Sequence, residues 1–319
     1  MNSERRHSIP WLHLFLIALV IGALWSILSH NPHAHRRAKQ DWGHRLTIIT
    51  YNTHRMGMFR KPADNEVLQF LRNTEADIIC LQEVEVYKDN RYLTLPELKQ
   101  AMSRWEYTYF DFKVYNSRRQ FGNVVFSHYP LINKKTVPFE SKGSISSRCD
   151  VVVDADTIRL IVNHLESYRL DRSLLQVDSL FSATPDRREQ LRERFRRTGP
   201  TRREQAHAVK DEVDASPYPV ILTGDFNVPP LSRTYYILKR GLRDCFLETS
   251  FLRYGTTYPL NGGSDNDTDS ADEDDKGSSL NLGVRIDYIF CSQSLTPLTS
   301  EVITTDASDH YPLCCTIGY

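Results

Sequence analysis

Short apolar runs recur along the chain between residues 46 and 317, and they have the length and composition of buried strands. They are rich in Val, Ile and Leu, and polar or turn-forming residues bound them. The predicted strands are 46–51, 78–81, 124–127, 149–153, 158–163, 220–223, 285–291 and 313–317. The run Asp154-Ala155-Asp156-Thr157 is typical of a hairpin turn between two of these strands.

Amphipathic segments lie between these runs and predict helices. Asp64 is in position to cap a first helix, and Pro96 is in position to begin a second one that ends near residue 105. The other predicted helices are 185–197, 202–214 and 232–239, with a break at Gly199-Pro200. Helical crossovers together with hairpins predict an α/β fold with mixed sheets.

The amino terminus differs from the rest of the chain. Residues 11–28 read WLHLFLIALVIGALWSIL, and a helix of this length approaches the ~30 Å hydrocarbon thickness of a membrane. Two arginines precede the run and no small-x-small cleavage site follows it. Residues 1–30 are therefore predicted to form an uncleaved signal anchor with one transmembrane helix, followed by a linker at 31–44 and a globular domain at 45–319.

Two alternatives to the anchor stay open, namely a cleaved signal peptide and a buried helix of the globular domain. The polar, basic linker argues against the buried helix. Basic residues flank both ends of the apolar run, so the side of the membrane on which the globular domain lies is left undecided.

Composition and charge limit the function. Of the 319 residues 40 % are hydrophobic, which excludes a wholly disordered or fibrous chain. Lys plus Arg and Asp plus Glu each count 40, so bulk positive charge is not available for binding nucleic acid. The charges are segregated, since residues 186–203 carry eight Arg and residues 261–280 carry seven acids. The six cysteines form no CxxC pair, which predicts buried thiols rather than disulfides or a zinc site.

The two charged segments each have more than one interpretation. The acidic stretch at 261–280 predicts a solvated loop. Its DxDxD run has the spacing of a calcium loop, but Ser270 and Lys276 replace the glycine and the glutamate that such a loop needs. The Arg-rich segment at 186–203 either binds phosphates of DNA or of anionic lipid, or forms a solvated helix face paired with its own acids.

Polar side chains follow several predicted strands where each one ends, interrupt one strand, and precede the last one. They are Asn52, Glu83, His164, Asp225, Asn227, Asp287, Asp309 and His310. Binding sites of open α/β sheets form beyond the carboxyl ends of strands. Each residue alone has an ordinary explanation as a turn former or a cap, although an unpaired buried acid at Asp287 would be costly. Together they predict one shared site.

The chemistry of this set is consistent. Carboxylate and amide oxygens are the ligands that Mg²⁺ prefers, together with water and phosphate oxygens, and Mn²⁺ is an alternative. His164 and His310 can donate hydrogen bonds to a phosphate, and an acid near each ring would fix its tautomer and raise its pKa. The set therefore predicts metal-assisted hydrolysis of a phosphate ester.

Several motifs carry a resemblance to a known family. They are TYNTH at 50–54, DIICLQEVE at 77–85, IVNHLES at 161–167, ILTGDFNVPP at 221–230, RIDYIF at 285–290 and SDHYP at 308–312. Over about residues 45–319 the chain resembles the endonuclease/exonuclease/phosphatase superfamily. That superfamily includes pancreatic-type deoxyribonucleases, apurinic endonucleases, neutral sphingomyelinases and inositol polyphosphate 5-phosphatases. The resemblance implies a four-layer sandwich, with two mixed β-sheets packed face to face and helices outside.

The resemblance also implies roles on the metal side of the site. Glu83 matches the main metal-binding glutamate of the family, with Asn52 beside it, and Asp309 matches a second metal-side carboxylate. Asp225 matches the residue that orients or deprotonates the attacking water. Asn227 matches the neighbouring residue that holds the phosphate or a second metal.

Further roles follow for the residues around the phosphate. His310 matches the histidine that contacts the scissile phosphate, and Asp287 matches the acid that orients it. His164 matches the second phosphate-contacting histidine of deoxyribonuclease-like members, where apurinic endonucleases usually carry tyrosine. The implied mechanism is in-line attack of water on phosphorus, with Mg²⁺ and His310 stabilising the developing charge.

The sequence leaves three functions open. The first is a Mg²⁺-dependent, endonuclease-like phosphodiester hydrolase acting on DNA or RNA, which His164 favours. The second is a membrane-associated phospholipid or inositol phosphate hydrolase of the sphingomyelinase kind. The motifs LTGDFNVPP and VRIDYIF depart from those of inositol 5-phosphatases. The third is an inactive binding protein on the same scaffold, against which the complete set of acids and histidines argues. A monomer is expected.

Overall fold

The computed structural model describes residues 43–57, 59–114, 116–141, 143–168, 184–250, 255–260 and 283–319. The predicted anchor at 1–30, most of the linker and the acidic loop at 261–280 lie outside these residues. Within the described part of the chain, no helix is both long and apolar enough to span a membrane.

The described residues form strands and helices with the following bounds. The strands are β1 (Arg45–Asn52), β2 (Ile78–Tyr87), β3 (Tyr107–Val114), β4 (Arg119–Ser127), β5 (Leu131–Thr136), β6 (Ile145–Val153), β7 (Asp156–His164), β8 (Val220–Asp225), β9 (Leu242–Asp244), β10 (Tyr258–Pro259), β11 (Gly283–Val284), β12 (Asp287–Ser292), β13 (Thr296–Val302) and β14 (Leu313–Gly318). The helices are α1 (Glu66–Arg72), α2 (Leu95–Ala101), α3 (Pro185–Asp214), α4 (Arg233–Lys239) and α5 (Cys245–Thr249), with a 3₁₀ turn at Pro62–Asp64.

Two mixed six-stranded sheets form the centre of the described fold. The first has the order β13-β14-β1-β2-β4-β3, and the second has the order β5-β6-β7-β8-β12-β9. Each sheet has a parallel pair near its middle, β1 with β2 and β7 with β8. The neighbours of these pairs are antiparallel, and β10 and β11 form a separate two-stranded ribbon.

Alternate residues of the central strands face two different cores. Ile48 of β1 and Ile221 of β8 lie in the core between the sheets. Their neighbours Ile49 and Leu222 face outward, where α1 and α2 cover the first sheet and α3 and α4 cover the second. A strand that is buried on both faces is apolar along its whole length, so these central strands could be predicted from the sequence. The predicted sandwich of two mixed sheets flanked by helices is confirmed.

Besides the short β10–β11 ribbon, the strands that the apolar pattern missed are the edges of the two large sheets. β13 and β3 border the first sheet, and β5 and β9 border the second. After its first residue, β5 (Leu131–Thr136) is exposed along its whole length. Edge strands bury less side-chain area and carry charges that discourage pairing with another chain, so they lack an apolar run.

Three helix predictions were wrong in detail. The helix predicted to end near residue 105 ends at Ala101. The N-cap of α1 is Asn65 rather than Asp64, because Asn65 Oδ1 accepts the Leu68 N–H at 3.0 Å while its Nδ2 donates to the Met56 carbonyl. The break at Gly199-Pro200 is also absent, since α3 runs through Pro200. Proline removes one backbone donor, but the turns that follow it are held against the second sheet by buried residues such as Val209.

Candidate active site

The ends of the central strands bring the predicted site residues into one row. In the second sheet, His164 of β7 is opposite Asp225 of β8, and Asp225 is opposite Asp287 of β12. All three side chains are buried. In the first sheet, Asn52 ends β1, and its Nδ2 donates to Asp225 Oδ2 at 2.9 Å. The carboxyl ends of the two parallel pairs therefore meet at the same edge of the sandwich.

A β-bulge places Glu83. The strand predicted to end at residue 81 continues to Tyr87, and its register shifts between Leu81 and Val84. Glu83 lies within this bulge in the left-handed region, with φ 55°. A bulge re-aims one side chain without ending the strand, at the cost of local backbone strain. The bulge thus directs the Glu83 side chain so that its Oε1 accepts a hydrogen bond from Asn52 Nδ2 at 3.3 Å.

Gly224 makes room for Asp225. Its φ is 125°, a conformation that L side chains rarely adopt, and a Cβ added here would collide with the backbone of Asn163 on β7. Only glycine allows β8 to lie this close to β7 just before the row of site residues. The positive φ and the close approach of the β7 backbone therefore both explain the glycine of the GDFN motif.

A histidine–carboxylate pair lies on one side of Asp225. His310 Nδ1 is 2.9 Å from Asp287 Oδ2, and His310 Nε2 is 3.8 Å from Asp225 Oδ2. Burial alone would lower the pKa of His310, but the charges of Asp287 and Asp225 outweigh it and raise the pKa to about 10. Burial, followed by repulsion from Asp287, raises the pKa of Asp225 to about 6. The pair is arranged to hold a cationic imidazole beside a basic carboxylate.

A second histidine lies on the other side of Asp225. His164 Nε2 is 3.2 Å from Glu83 Oε1, yet neither ring nitrogen makes a hydrogen bond of good geometry with any described residue. Burial opposes the charged forms of both residues, but their mutual attraction lowers the pKa of Glu83 to about 2 and raises that of His164. A buried ring N–H without an aligned acceptor in the protein is available to donate a hydrogen bond to an oxygen of a bound anion.

Asn227 and Asp309 lie at the margins of this group. Asn227 has φ 52°; its backbone N–H donates to Asp225 Oδ1 at 2.8 Å, and its Nδ2 donates to Asp225 Oδ2 and to the Leu165 carbonyl. Asp309 is partly exposed, and its Oδ1 is 3.6 Å from His54 Nδ1. The structure therefore brings seven of the eight predicted residues into direct contact with one another and places Asp309 beside them.

The donor set fits a divalent metal ion. Among the described residues, one ligand atom each from Asp225, Asp287 and His310 lie within 4.8 Å of one another. An imidazole that is protonated beside two carboxylates has no lone pair for a metal, so the two acids are the ligands that this group could offer. Asp287 Oδ1 is buried and has no hydrogen-bond partner among the residues that the structure describes. A buried carboxylate oxygen without a donor favours a cation nearby. This group differs from the predicted metal ligands, and Asn52 turns its amide nitrogen rather than its oxygen towards Glu83 and Asp225.

Sequence reasoning assigned no role to two residues that support the site. Ser308 Oγ donates to the Asn52 carbonyl at 2.8 Å and so ties the His310 loop to β1. Thr257 contacts both the segment of Asp287 and the segment of His310. Ser308 belongs to the SDHYP motif and could have been noted there. Thr257 lies in no motif, and only the tertiary contacts reveal it.

Comparison with known proteins agrees with this geometry. Residues 49–310 match the sequence profile of the Endonuclease/Exonuclease/phosphatase family. The chain belongs to this family. The activities in the family's description cleave phosphate esters, so the chain is a phosphoester hydrolase, and dependence on a divalent metal is general among family enzymes.

Solved structures of the family share the fold. A family protein from Beutenbergia cavernae is 19% identical, with a TM-score of 0.56 over 86% of this chain and 71% of that one. D. rerio TDP2, complexed with a single-strand DNA product, is 17% identical, with a TM-score of 0.56 over 86% and 99%. A mannosyl-6-phosphatase from Bacteroides thetaiotaomicron is 17% identical, with a TM-score of 0.53 over 86% and 100%. None of the curated proteins compared matches the chain.

Proposed function

We propose that this family member is a Mg²⁺-dependent, endonuclease-like phosphodiester hydrolase. The observation that carries the proposal is the placement of two buried imidazoles on either side of one buried carboxylate. His310 Nε2 is 3.8 Å from Asp225 Oδ2, and His164 is the neighbour of Asp225 across the sheet. A phosphate bound at Asp225 would meet a ring nitrogen from each side.

The chain's own residues then have distinct tasks. Asp225 accepts the proton of the attacking water, because a carboxylate with a pKa of about 6 is ionised at neutral pH and still basic. Asp287 holds His310 so that its Nε2 donates to a phosphate oxygen that gains charge. His164 donates to a second oxygen, and Asn227 supports the phosphate beside Asp225.

Glu83 is proposed as the main metal ligand, with Asn52 and Asp309 on the same side. Its lowered pKa keeps the carboxylate ionised at neutral pH, so it needs to lose no proton before binding a cation. When bound, Mg²⁺ or Mn²⁺ neutralises phosphate charge and stabilises the charge that develops during attack.

DNA or RNA is the favoured substrate. A protein of the same fold, D. rerio TDP2, was crystallised with a single-strand DNA product, and His164 matches the deoxyribonuclease-like pattern. A membrane-associated phospholipid or inositol phosphate hydrolase is the second candidate. The predicted anchor at 1–30 and the phosphatase with the same fold support that candidate. The inactive binding protein is the least favoured, because none of the predicted catalytic acids and histidines is missing.

Substrate assays test the proposal. The full chain, purified in detergent, is incubated with plasmid DNA, RNA, sphingomyelin and inositol phosphates, with Mg²⁺, Mn²⁺ or a chelator. We expect nicking of plasmid with Mg²⁺, no activity with the chelator, and a rate at least about 100-fold lower for Asp225→Asn or His310→Ala. Cleavage of the lipid alone would replace the first candidate by the second. No cleavage of any substrate would leave the binding protein.

We also propose that residues 1–30 anchor a monomeric enzyme in a membrane. The support is the apolar run at 11–28 with arginines before it. Extraction of membranes at alkaline pH should leave the full chain in the pellet and release a chain that lacks residues 1–30. Recovery of both chains in the supernatant would remove the proposal. Protease protection of the intact membrane would show which side the enzyme occupies.

A further inference from the structure

Thr257 joins the two segments that carry the catalytic histidine–carboxylate pair. Its Oγ1 accepts hydrogen bonds from the backbone N–H of Ile286 at 3.0 Å and of Asp287 at 3.1 Å. Its carbonyl accepts the N–H of Tyr311, the neighbour of His310, at 2.7 Å. Thr257 is completely buried. One residue therefore fixes the backbone on both sides of the pair.

The pair needs such a connection, because its members lie on separate elements. Asp287 begins β12, and His310 lies in the loop before β14, 23 residues further along the chain. Thr257 is itself held in place, since its N–H donates to the Val284 carbonyl at 3.1 Å. The two backbone donors that meet its hydroxyl are next to each other in sequence, so a single oxygen orients the peptide that leads into Asp287.

A hydroxyl is the chemical requirement at this position. An apolar side chain of the same shape would leave the backbone N–H groups of Ile286 and Asp287, the second of them buried, without this acceptor. The peptide at Asp287 would then shift to find another one. The contact between His310 Nδ1 and Asp287 Oδ2, 2.9 Å long, would lengthen or lose its alignment. A displacement of about 1 Å in a catalytic group can lower a rate by about 100-fold.

We propose that Thr257 is a positioning residue that sets the geometry of the His310–Asp287 pair. The proposal rests on the proposed function, in which this pair acts on the phosphate. Thr257 acts through Asp287 and touches no substrate.

The main test compares Thr257→Val with Thr257→Ser in the full chain. Val keeps the shape without the acceptor, and Ser keeps the acceptor. With Mg²⁺ and bis(p-nitrophenyl) phosphate, we expect Thr257→Val to lower kcat by about 10- to 100-fold with KM within about twofold. Thr257→Ser should stay within about threefold of the wild type. Equal activity of the Val variant and the wild type would overturn the proposal.

A matched control separates positioning from general loss of stability. Thr94 accepts a backbone N–H at the N-cap of α2 through its Oγ1. Thr94→Val makes the same chemical change away from the pair and should keep kcat at the wild-type value. An equal fall of kcat in Thr94→Val and Thr257→Val would mean that Thr257 is merely structural.

A double mutant tests whether Thr257 acts through Asp287. In an Asp287→Asn background, adding Thr257→Val should lower kcat by less than about threefold, because the interaction being positioned is already lost. If kcat of the double variant fell by the product of the two single-variant factors, the proposal would be contradicted.

A last measurement does not depend on turnover. Proton NMR of the metal-free chain should show a slowly exchanging, low-field His310 Nδ1–H, assigned by its absence in His310→Gln. It should persist in Thr257→Ser and vanish in Thr257→Val. If Val prevents folding, Thr257→Cys offers a weaker acceptor and should give an intermediate exchange rate. An unchanged resonance in Thr257→Val, or in Thr257→Cys if the Val variant does not fold, overturns the role of Thr257. Absence of turnover by the wild type overturns only the proposed function.

Discussion

Two buried charged clusters lie next to each other in the second sheet, and they differ in how their charges are satisfied. In the first, Arg285 Nη1 and Nη2 donate to the two carboxylate oxygens of Asp244, each at 2.9 Å. Tyr235 adds a third hydrogen bond to Asp244 at 2.9 Å. In the second cluster, Asp287 and Asp225 are cross-strand neighbours, and Asp287 Oδ1 has no hydrogen bond within the described part of the chain.

The difference separates a structural ion pair from a reactive one. The side chains of Arg285 and Asp244 are 0% and 1% exposed, and the carboxylate is matched by a planar fork of donors. Burial opposes the charge on Arg285, yet Asp244 raises the pKa of the guanidinium, so Arg285 stays charged. Asp225 and Asp287 instead share one histidine, His310, so together they keep negative charge that a cation could neutralise. A buried charge that is fully paired within the protein stabilises the fold. Buried negative charge that is only partly balanced at a strand end is available to bind a metal ion or to take up a proton.

Asp225→Asn should produce the largest change in activity. It removes the base, and we expect the rate of phosphodiester cleavage to fall about 10²- to 10⁴-fold. The melting temperature should stay the same or rise, because repulsion between Asp225 and Asp287 is removed. Plasmid nicking and thermal unfolding of the same preparation measure both. A folded variant that cleaves at the wild-type rate would disprove the role of Asp225.

Asp244→Asn should produce the largest change in stability. It leaves the buried Arg285 without its counter-charge, and we expect the free energy of unfolding to fall by about 3–5 kcal/mol. Activity per folded molecule should be retained at low temperature. Denaturant unfolding checks the first expectation. A strong loss of activity with normal stability would mean that the two clusters are not separate in function.

Thr94→Ala tests a polar contact that belongs to neither cluster. Thr94 forms a capping box with Glu97 at the start of α2. Its loss should lower the free energy of unfolding by about 1 kcal/mol and leave activity unchanged. Chemical denaturation gives the stability, and a change above about 3 kcal/mol would show that α2 supports more than its own N-terminus.

Glu212→Gln should have the smallest effect, and the effect should depend on pH. Burial raises the pKa of Glu212, but Lys135 and Arg148 outweigh it and lower the pKa below 4.5. A carboxyl whose pKa is lowered on folding stabilises the protein above the unfolded pKa, and that stability is lost as pH falls through the folded value.

Glu212→Gln should therefore cost about 0.5 kcal/mol at neutral pH. The gap between the variant and the wild type should close as pH falls below 4.5, the ordinary value for glutamate. Denaturant unfolding curves of both proteins across this pH range measure the difference in stability. A gap that widened in acid would reverse the assigned sign.

Sequence reasoning succeeded where a local pattern reports a local property. The runs that became β1, β2, β7 and β8 are apolar because both their faces are buried, so their positions were visible in the chain. It failed at edge strands such as β5, whose side chains face water. It also failed for Pro200, because packing against the second sheet outweighs the loss of one backbone donor.

The candidate site divides in the same way. The amino-acid sequence by itself determined the family, the order of its motifs and the identity of the acids and histidines, because these are properties of residue type and spacing. Only the tertiary structure decided that Glu83 lies in a bulge, that Asn52 bridges Glu83 and Asp225, and that Arg285 is matched by Asp244. These contacts join residues up to 173 positions apart, and their geometry follows from how two sheets pack rather than from any local pattern.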